Sequence, residues 1–550
     1  MKKSLILTVA AMAFTLTACD DFLERYPEGG TIRQDQYEKL DNKLEGSIRG
    51  LYTKIYTMSG SAHDEFGKRS IDLWGDMVSS DIALTNKTYG WLYTDEQMLT
   101  INRTGTIWGH YYSQLHNINT TIYTSHNTEF GQKFVVRDGN GVVTGYNWPS
   151  ENSEIQYTDM DYDNAMYYAQ VIGLRGYIYA QLAKFYTPVR ESDKFLANGI
   201  EDFDCCPIYT ETNMDAPQPL STSEQVYNRA FEDLSNAIRI YEEFDAAFNT
   251  TFERSSKLIL DHDVLCGMLT MAYLNESVYR SGDQYKAHVR NALNYAEKVI
   301  NSNKYKLLTN DNLLTDGFNS VSSEGWIWGQ QVTIETSGGL KSWFGQVDIH
   351  SYSYAWAGDT KVIDGELRDQ IPAWDKRSLW FNDGKKDSKY KDCPDGKFFS
   401  AKSPHSTDAD DIDRDWFSDN VFMRIEALYL AAAEAAWRLD SLTVAADYIK
   451  QITDERINKD YFLWNSEYTA YTAGLTTSAA IKAALIYNWR IEMWGEGYGL
   501  ETFRRFGEAR KRGNNHDYAK GIAIEPKDTY YNMSIPSSES TYNPYLRNKE

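Results

Sequence analysis

Along residues 36 to 56 the side chains of Leu40, Leu44, Ile48, Leu51 and Ile55 recur at steps of three and four. At 3.6 residues per turn they share one face, so the segment predicts an amphipathic helix. Similar patterning predicts helices over 105–125, 165–186, 221–244, 256–279, 284–302, 422–439, 443–457 and 478–497. Local punctuation agrees with it. Thr187-Pro188 stops the helix that begins at 165, and Pro217 and Pro219 stand just before Thr222 and Ser223, either of which can cap the helix over 221–244. VVRDGNGVVTGYNW, residues 135 to 148, predicts a small β-hairpin across Asp138-Gly139-Asn140-Gly141.

The helices come in pairs. One partner carries close-packed Ala, Gly or Ser and the other a stripe of larger apolar residues, so no pair can bury its apolar face alone. The pattern predicts an all-α fold of about four tetratricopeptide-like helical hairpins. The scaffold falls mainly in 36–58, 105–302 and 421–512. Residues 60–104 and 303–420 have little helical period, many Gly, Asp, Ser and Asn, and most of the tryptophans. Long irregular excursions from a helical scaffold are usually functional loops, so these two stretches predict an irregular binding lobe.

The first residues follow a different logic. Lys2 and Lys3 precede the uncharged run LILTVAAMAFTLTA, residues 5 to 18, which is too short to span a membrane and has the form of an export signal. Leu16 to Cys19 resembles a bacterial lipobox, with Cys19 as the lipidated first residue of the mature chain. Residues 1–18 then form a signal peptide and 19–550 a single domain. No second apolar run reaches spanning length, so the lipid on Cys19 would be the membrane attachment.

Composition narrows the function. The chain has 550 residues, 42% of them hydrophobic, enough for a large core, and a net charge of −22. That charge argues against nucleic acid, whose binders neutralise phosphates with basic patches. It also disfavours strongly anionic polysaccharides, unless one local basic patch reverses the balance. Cys205, Cys206, Cys266 and Cys393 have no CxxC pair or histidine cluster beside them and read as small buried residues, with one disulfide left open. No nucleophile elbow, phosphate-binding loop or zinc-protease spacing is present, so the chain is not read as an enzyme. DADDIDRD, residues 408 to 415, has aspartates at 411, 413 and 415 but lacks the glycine and terminal glutamate of a calcium loop, and reads as a solvated acidic loop. No cofactor is expected; a structural calcium is left open, without a place for it. The aromatic content, 14% from 40 Tyr, 22 Phe and 15 Trp, suits a surface that stacks on sugar rings as well as a core.

Several blocks in order resemble the SusD/RagB family of outer-membrane lipoproteins. They are Cys19 to Glu24 with Pro27, RGYIYAQLAKFYTPV (175–189), PLSTSEQVYNRAFEDLSNA (219–237), RIEALYLAAAEAAWRL (424–439), Arg490 to Gly507, and SIPSSESTYNPYLRN (534–548). Three positions depart from the pattern: Trp489 replaces an acidic residue, Gly499 an arginine and Thr502 an aspartate. The resemblance implies a lipoprotein on the outer face of the outer membrane that captures a nutrient and delivers it to a SusC-like TonB-dependent transporter without cleaving it. Asp20 and Asp21 resemble the surface-export signal that follows the lipidated cysteine. An oligosaccharide, neutral on charge grounds, is the expected ligand. Capture of peptides on the same scaffold, a surface glycoside hydrolase and a ligandless plug for the transporter are the alternatives.

Sugar recognition needs flat apolar faces for pyranose C–H groups and planar polar groups for hydroxyls. Two clusters qualify. The early one holds Trp74, Asp76, Asp81, Trp91 and Tyr93, with Asn86 and Tyr89 beside them; the later one holds Trp326, Trp328, Trp343, Tyr354 and Trp356, with Gln330 and Tyr352. Trp91 and Trp343, flanked by small residues, are the leading candidates. Trp74 in IDLWGDM and the alternating Trp326 and Trp328 also fit a core.

Overall fold

The computed structural model describes residues 43–58, 63–86, 104–149, 154–189, 203–254, 256–314, 317–333, 336, 339–350, 352–395, 418–527, 531 and 533–546. Among them are α1 (Lys43–Tyr56), α2 (Lys68–Val78), α3 (Thr104–His126), α4 (Glu129–Phe134), α5 (Asp159–Tyr186), α6 (Ser223–Ala247), α7 (His262–Ser277) and α8 (Gly282–Ile300); all of these but α2 and α4 are predicted by the periodicity, with shifts at the ends. Then follow α9 (Trp343–Val347), α10 (Gly365–Asp369), α11 (Ile425–Arg438), α12 (Leu442–Asp454), α13 (Trp464–Gly474), α14 (Ser478–Glu492) and α15 (Gly499–Phe506). The fold is mostly helical, as the periodicity predicts.

Local chemistry sets the boundaries. Thr158 starts α5 with a capping box: its hydroxyl accepts from the Asp161 N–H at 3.3 Å and the Asp161 carboxylate accepts from the Thr158 N–H at 2.7 Å. Thr222 and Gln225 do the same for α6. α5 is buried along most of its length because glycines let its neighbours approach. A Cβ on Gly173 would come within 2.5 Å of Leu265 on α7, and one on Gly176 within 2.8 Å of Leu234 on α6. Helices then pack in chain order: α5 on α6, α6 on α7, α7 on α8, α8 on α11 and α11 on α12, with α14 closing against α11 and α12.

β1 (Ile82–Leu84) is followed along the chain by the short strands β2 (Val135–Arg137), β3 (Val143–Tyr146), β4 (Asp204–Pro207) and β5 (Leu220–Thr222), and two further small sheets join the irregular stretches to each other and to the scaffold. β1 runs antiparallel to β7 (Lys361–Ile363), with Ile82 opposite Ile363. β6 (Trp326–Gln330) runs antiparallel to β8 (Asn420–Arg424). Phe422 to Arg424, expected in a helix, are therefore strand: the ladder to β6 outweighs their helical spacing. The hairpin predicted over 135–148 is present as Val135–Arg137 against Val143–Tyr146, with the Asp138 carboxylate accepting from the Asn140 and Val142 N–H groups at 2.9 Å.

The early stretch 60–104 differs from a lobe in its middle. Residues 68 to 78 are helix α2, and every residue of it except Lys68 is buried. Its apolar side packs in the core. Its polar side is buried too, since Asp72 meets Lys68 at 2.8 Å and Arg69 at 3.5 Å. Lys68, Asp72 and Asp76 stand at steps of four and mark a polar side, but the helix is only 11 residues long, and so short a period is hard to tell from the irregular sequence around it.

A buried ion network locks the later stretch to the C-terminal helices. Glu492 receives Arg377 at 3.0 Å, Arg424 at 2.8 Å and Arg456 at 2.8 Å. Arg424 also reaches Glu496 at 2.9 Å, and Arg377 reaches Asp375 at 2.6 Å. Burial alone would raise the Glu492 carboxyl, but the three guanidiniums hold it well below the usual carboxylate range. Cys205, Cys206, Cys266 and Cys393 are buried and unpaired, which closes the disulfide left open by the sequence.

Candidate functional site

Six of the ten candidate ligand contacts are interior. Trp74, Trp326, Trp328 and Trp343 are between 0% and 1% exposed, and a ring with no face at the surface cannot stack on a sugar. Each is held by core partners. Trp74 meets Phe185 edge-on at 5.8 Å. The Trp326 indole N–H donates to the Gly317 carbonyl at 2.8 Å and that of Trp328 to the Leu258 carbonyl at 3.2 Å. Trp343 lies under the Arg69 guanidinium at 4.3 Å. These four correct the sequence expectation. Trp91, Tyr93 and the lipid-attachment residue Cys19 lie outside the described residues.

Asp76 and Asp81 are interior as well. The two Asp76 oxygens accept from the Gly497 and Gly499 N–H groups at 3.0 and 2.8 Å. Asp81 receives Arg490 at 2.6 Å and Arg510 at 3.0 Å. The departure at Gly499 has a physical reason here. A Cβ at that position would meet Ser79 Oγ, Asp81 Oδ2 and Asp76 Oδ1 at 2.5, 2.6 and 2.7 Å. Arg510 supplies the cation instead, and its guanidinium reaches the Thr502 hydroxyl at 3.4 Å. Burial and the neighbouring Asp81 push the Asp76 carboxyl up from 3.8 to about 8. Asp76 thus joins α2 to the start of α15, Asp81 joins the turn after α2 to α14 and Arg510, and both are occupied by these internal bonds.

The remaining candidates, Tyr354 and Trp356, sit on a ledge that runs from α9 to β7. Ser342 caps α9 by accepting from the Gly345 N–H at 3.0 Å. The chain then folds tightly back. Tyr354 N–H donates to the Gly345 carbonyl at 3.0 Å, and Trp356 N–H to the Ser353 hydroxyl at 3.0 Å. Gly358 turns the chain at φ 111°, a conformation that favours glycine. Ile349, Ala355, Val362, Cys393 and Ala83 form a small apolar cluster that supports the ledge. The Asn86 amide donates to the Gly358 carbonyl at 3.2 Å, so the early and late stretches do meet, through backbone contacts and β1–β7 pairing.

On this support Tyr352 and Trp356 are each 42% exposed, their ring centroids 5.5 Å apart and tilted by 55°. Tyr354 is half-buried and stacks on His63 at 4.1 Å. Lys389 donates to the Trp356 carbonyl at 2.5 Å, and its ammonium lies 5.6 Å from the Trp356 ring centroid and 4.8 Å from that of Tyr390. The Tyr390 hydroxyl donates to the same carbonyl at 3.2 Å. His350 Nε2 is 3.0 Å from Asp395. The Asp395 hydrogen bond raises the His350 pKa, and for Asp395 the opposing effect of burial is outweighed by His350, so its carboxyl is lowered. Two ring faces, an ammonium and an imidazole–carboxylate pair thus share one ledge. Lys389, Tyr390, His350 and Asp395 escaped sequence reasoning; the run GKKDSKYK, 384–391, was the signal for the first two.

Two cavities elsewhere offer less. One of about 510 Å³ is lined by Trp374, Tyr471 and Tyr487 against small residues of α13 and α14. Its Tyr487 hydroxyl is already engaged by Asp375 at 2.7 Å. Another of about 610 Å³ is lined by Arg280, Arg438, Arg504 and Arg505. Glu276 holds Arg280, Glu434 holds Arg438 and Arg505, and the carbonyls ending α5 hold Arg504. Among the described residues no group of three His, Cys, Asp or Glu is placed to hold a metal, and no helix is long and apolar enough to cross a membrane.

A family model described as the SusD family matches residues 274–547. No curated protein matches the chain. Solved structures share the fold. A SusD-like carbohydrate binding protein from Bacteroides vulgatus is 21% identical with a TM-score of 0.66, over 92% of this chain and 96% of its own. A SusD superfamily protein from Bacteroides thetaiotaomicron is 18% identical with a TM-score of 0.65, over 91% and 98%. One from Bacteroides fragilis is 18% identical with a TM-score of 0.62, over 92% and 98%.

Proposed function

Because this chain belongs to the SusD family, we propose that it captures an oligosaccharide at the cell surface and delivers it to a SusC-like TonB-dependent transporter. Proteins of the family generally bind carbohydrate and are associated with the outer membrane. In this reading the lipid on Cys19 anchors the chain to the outer membrane, facing the exterior, and the protein binds without cleaving. The observation that carries it is the ledge: Tyr352 and Trp356 present exposed rings on a hydrogen-bonded loop, with polar groups of Lys389, Tyr390 and His350 around them. Pyranose C–H groups pack on such rings, and a rigid support keeps the ordering cost of binding low.

Affinity electrophoresis through gels holding single polysaccharides tests the proposal, with a peptide pool titrated by calorimetry alongside. One or more polysaccharides should retard the protein, and Trp356→Ala should weaken that retardation about tenfold, the scale expected for a stacked ring. Heat from the peptides with no retardation by any polysaccharide would overturn the glycan reading. Unchanged retardation in Trp356→Ala and Tyr352→Ala would move the site off the ledge.

A further inference from the structure

Resting on the reading of the ledge as a glycan site, we propose that its ligand is an acidic saccharide, one bearing carboxylate or sulfate groups. The net charge of −22 argues the other way at long range. In physiological salt, however, charges are screened over about 8 Å, so the groups within contact distance of the ligand decide the balance.

The charged group nearest the rings is basic, the Lys389 ammonium, and it stands in a run of lysines. Lys385, Lys386, Lys389 and Lys391 fall within eight residues and are exposed. Of the four carboxylates beside them, Asp383, Asp392 and Asp395 each face a cation of the protein, and Asp387 is bonded to backbone alone. Asp383 pairs with Lys385 at 2.7 Å. Asp387 accepts from the backbone N–H of Lys389 at 2.9 Å. Asp392 faces Arg368 at 3.6 Å, Asp395 faces His350 at 3.0 Å, and buried Asp359 faces Lys361 at 2.9 Å. Among the described residues, Lys386, Lys389 and Lys391 have no carboxylate within ion-pair distance. Lys386 also acts through space on both His350 and Asp395, which places its charge in the same neighbourhood.

Lys389 is the best placed of the three. Its bond to the Trp356 carbonyl and its position near the Trp356 and Tyr390 rings fix the ammonium at the edge of the stacking surface. A second N–H of that ammonium donates to the Tyr390 hydroxyl at 3.2 Å, and the third is left for a ligand. A neutral sugar there gains stacking and ordinary hydrogen bonds. An acidic sugar gains charge-assisted ones, roughly twice as strong.

The test sets acidic polysaccharides against their neutralised forms: polygalacturonate and alginate beside the carboxyl-reduced chains, and chondroitin sulfate beside its desulfated, carboxyl-reduced form. Retardation of the purified protein is read at 50 and 300 mM NaCl. At least one acidic polymer should bind about tenfold more tightly than its neutralised form, with affinity falling as salt rises. Whether the preferred polymer carries carboxylate alone or sulfate names the group. Lys386→Gln with Lys389→Gln should lower binding of that polymer about tenfold and flatten its salt dependence. Both lysines are exposed, so the fold survives the change. Equal binding of acidic and neutralised forms, or an unchanged affinity in the double variant, overturns the inference and leaves the glycan reading standing. Binding to no polysaccharide of either kind overturns both.

Discussion

Around Glu492, three guanidiniums converge on one buried carboxylate; on the ledge, two half-exposed rings lie beside Lys389, which among the described residues has no carboxylate within ion-pair distance. Both regions are rich in charge, yet the charges do opposite things. In the first every group is satisfied inside the protein, so removing one leaves the others buried and uncompensated. In the second the polar groups face water and retain bonding capacity, so removing one changes little in the fold and much in what can be bound. A side chain's chemistry is the same in both places; burial decides whether it serves stability or recognition.

The sharpest way to break that contrast is Glu492→Ala. It strands Arg377, Arg424 and Arg456 and should cost about 3–5 kcal/mol, seen as a large fall in the thermal midpoint. A loss below 1 kcal/mol would mean that the network is solvated. Next is Gly173→Val, which forces side-chain atoms onto Leu265 between α5 and α7; about 1–3 kcal/mol should be lost in urea unfolding.

Asp76 adds a pH signature. Its folded carboxyl is raised from 3.8 to about 8, so between these values the native state holds a proton that the unfolded chain has released. Stability should therefore fall as pH rises from about 4 through about 8. Asp76→Asn removes this titration and should flatten that part of the melting profile; an unchanged slope would place the proton elsewhere. The smallest effect is expected on the ledge. Trp356→Ala should shift stability by no more than about 0.5 kcal/mol, even though it weakens glycan retardation. A large loss of stability there would erase the distinction between the two regions.

The motifs by which the family was legible turn out to lie mostly on the stability side of the comparison. Arg424, Glu426 and Glu434 of the 424–439 block, and Arg490, Glu492, Glu496 and Arg505 of the 490–507 block, are buried ion-pair partners. Such residues identify a scaffold because the scaffold fails without them. The ledge carries no comparable pattern, and Trp343, favoured for its small neighbours, sits under Arg69 instead.

Placement of most helices was determined by the sequence itself, since apolar spacing, caps and prolines act within a few residues of each other; α2 and the strand at Phe422–Arg424 are the exceptions, settled by distant partners. The starts of α5 and α6 and the hairpin at Asp138 required nothing distant. Exposure of the aromatic rings was decided only by the tertiary structure. Trp328 is interior because Tyr177, Leu258 and Phe422, far apart in the chain, close over it. Trp356 is at the surface because its loop rests on a cluster drawn from β1, β7 and the 393 turn. Burial of a side chain is a property of what covers it, and the covering groups are brought together by the fold, not by neighbours in sequence.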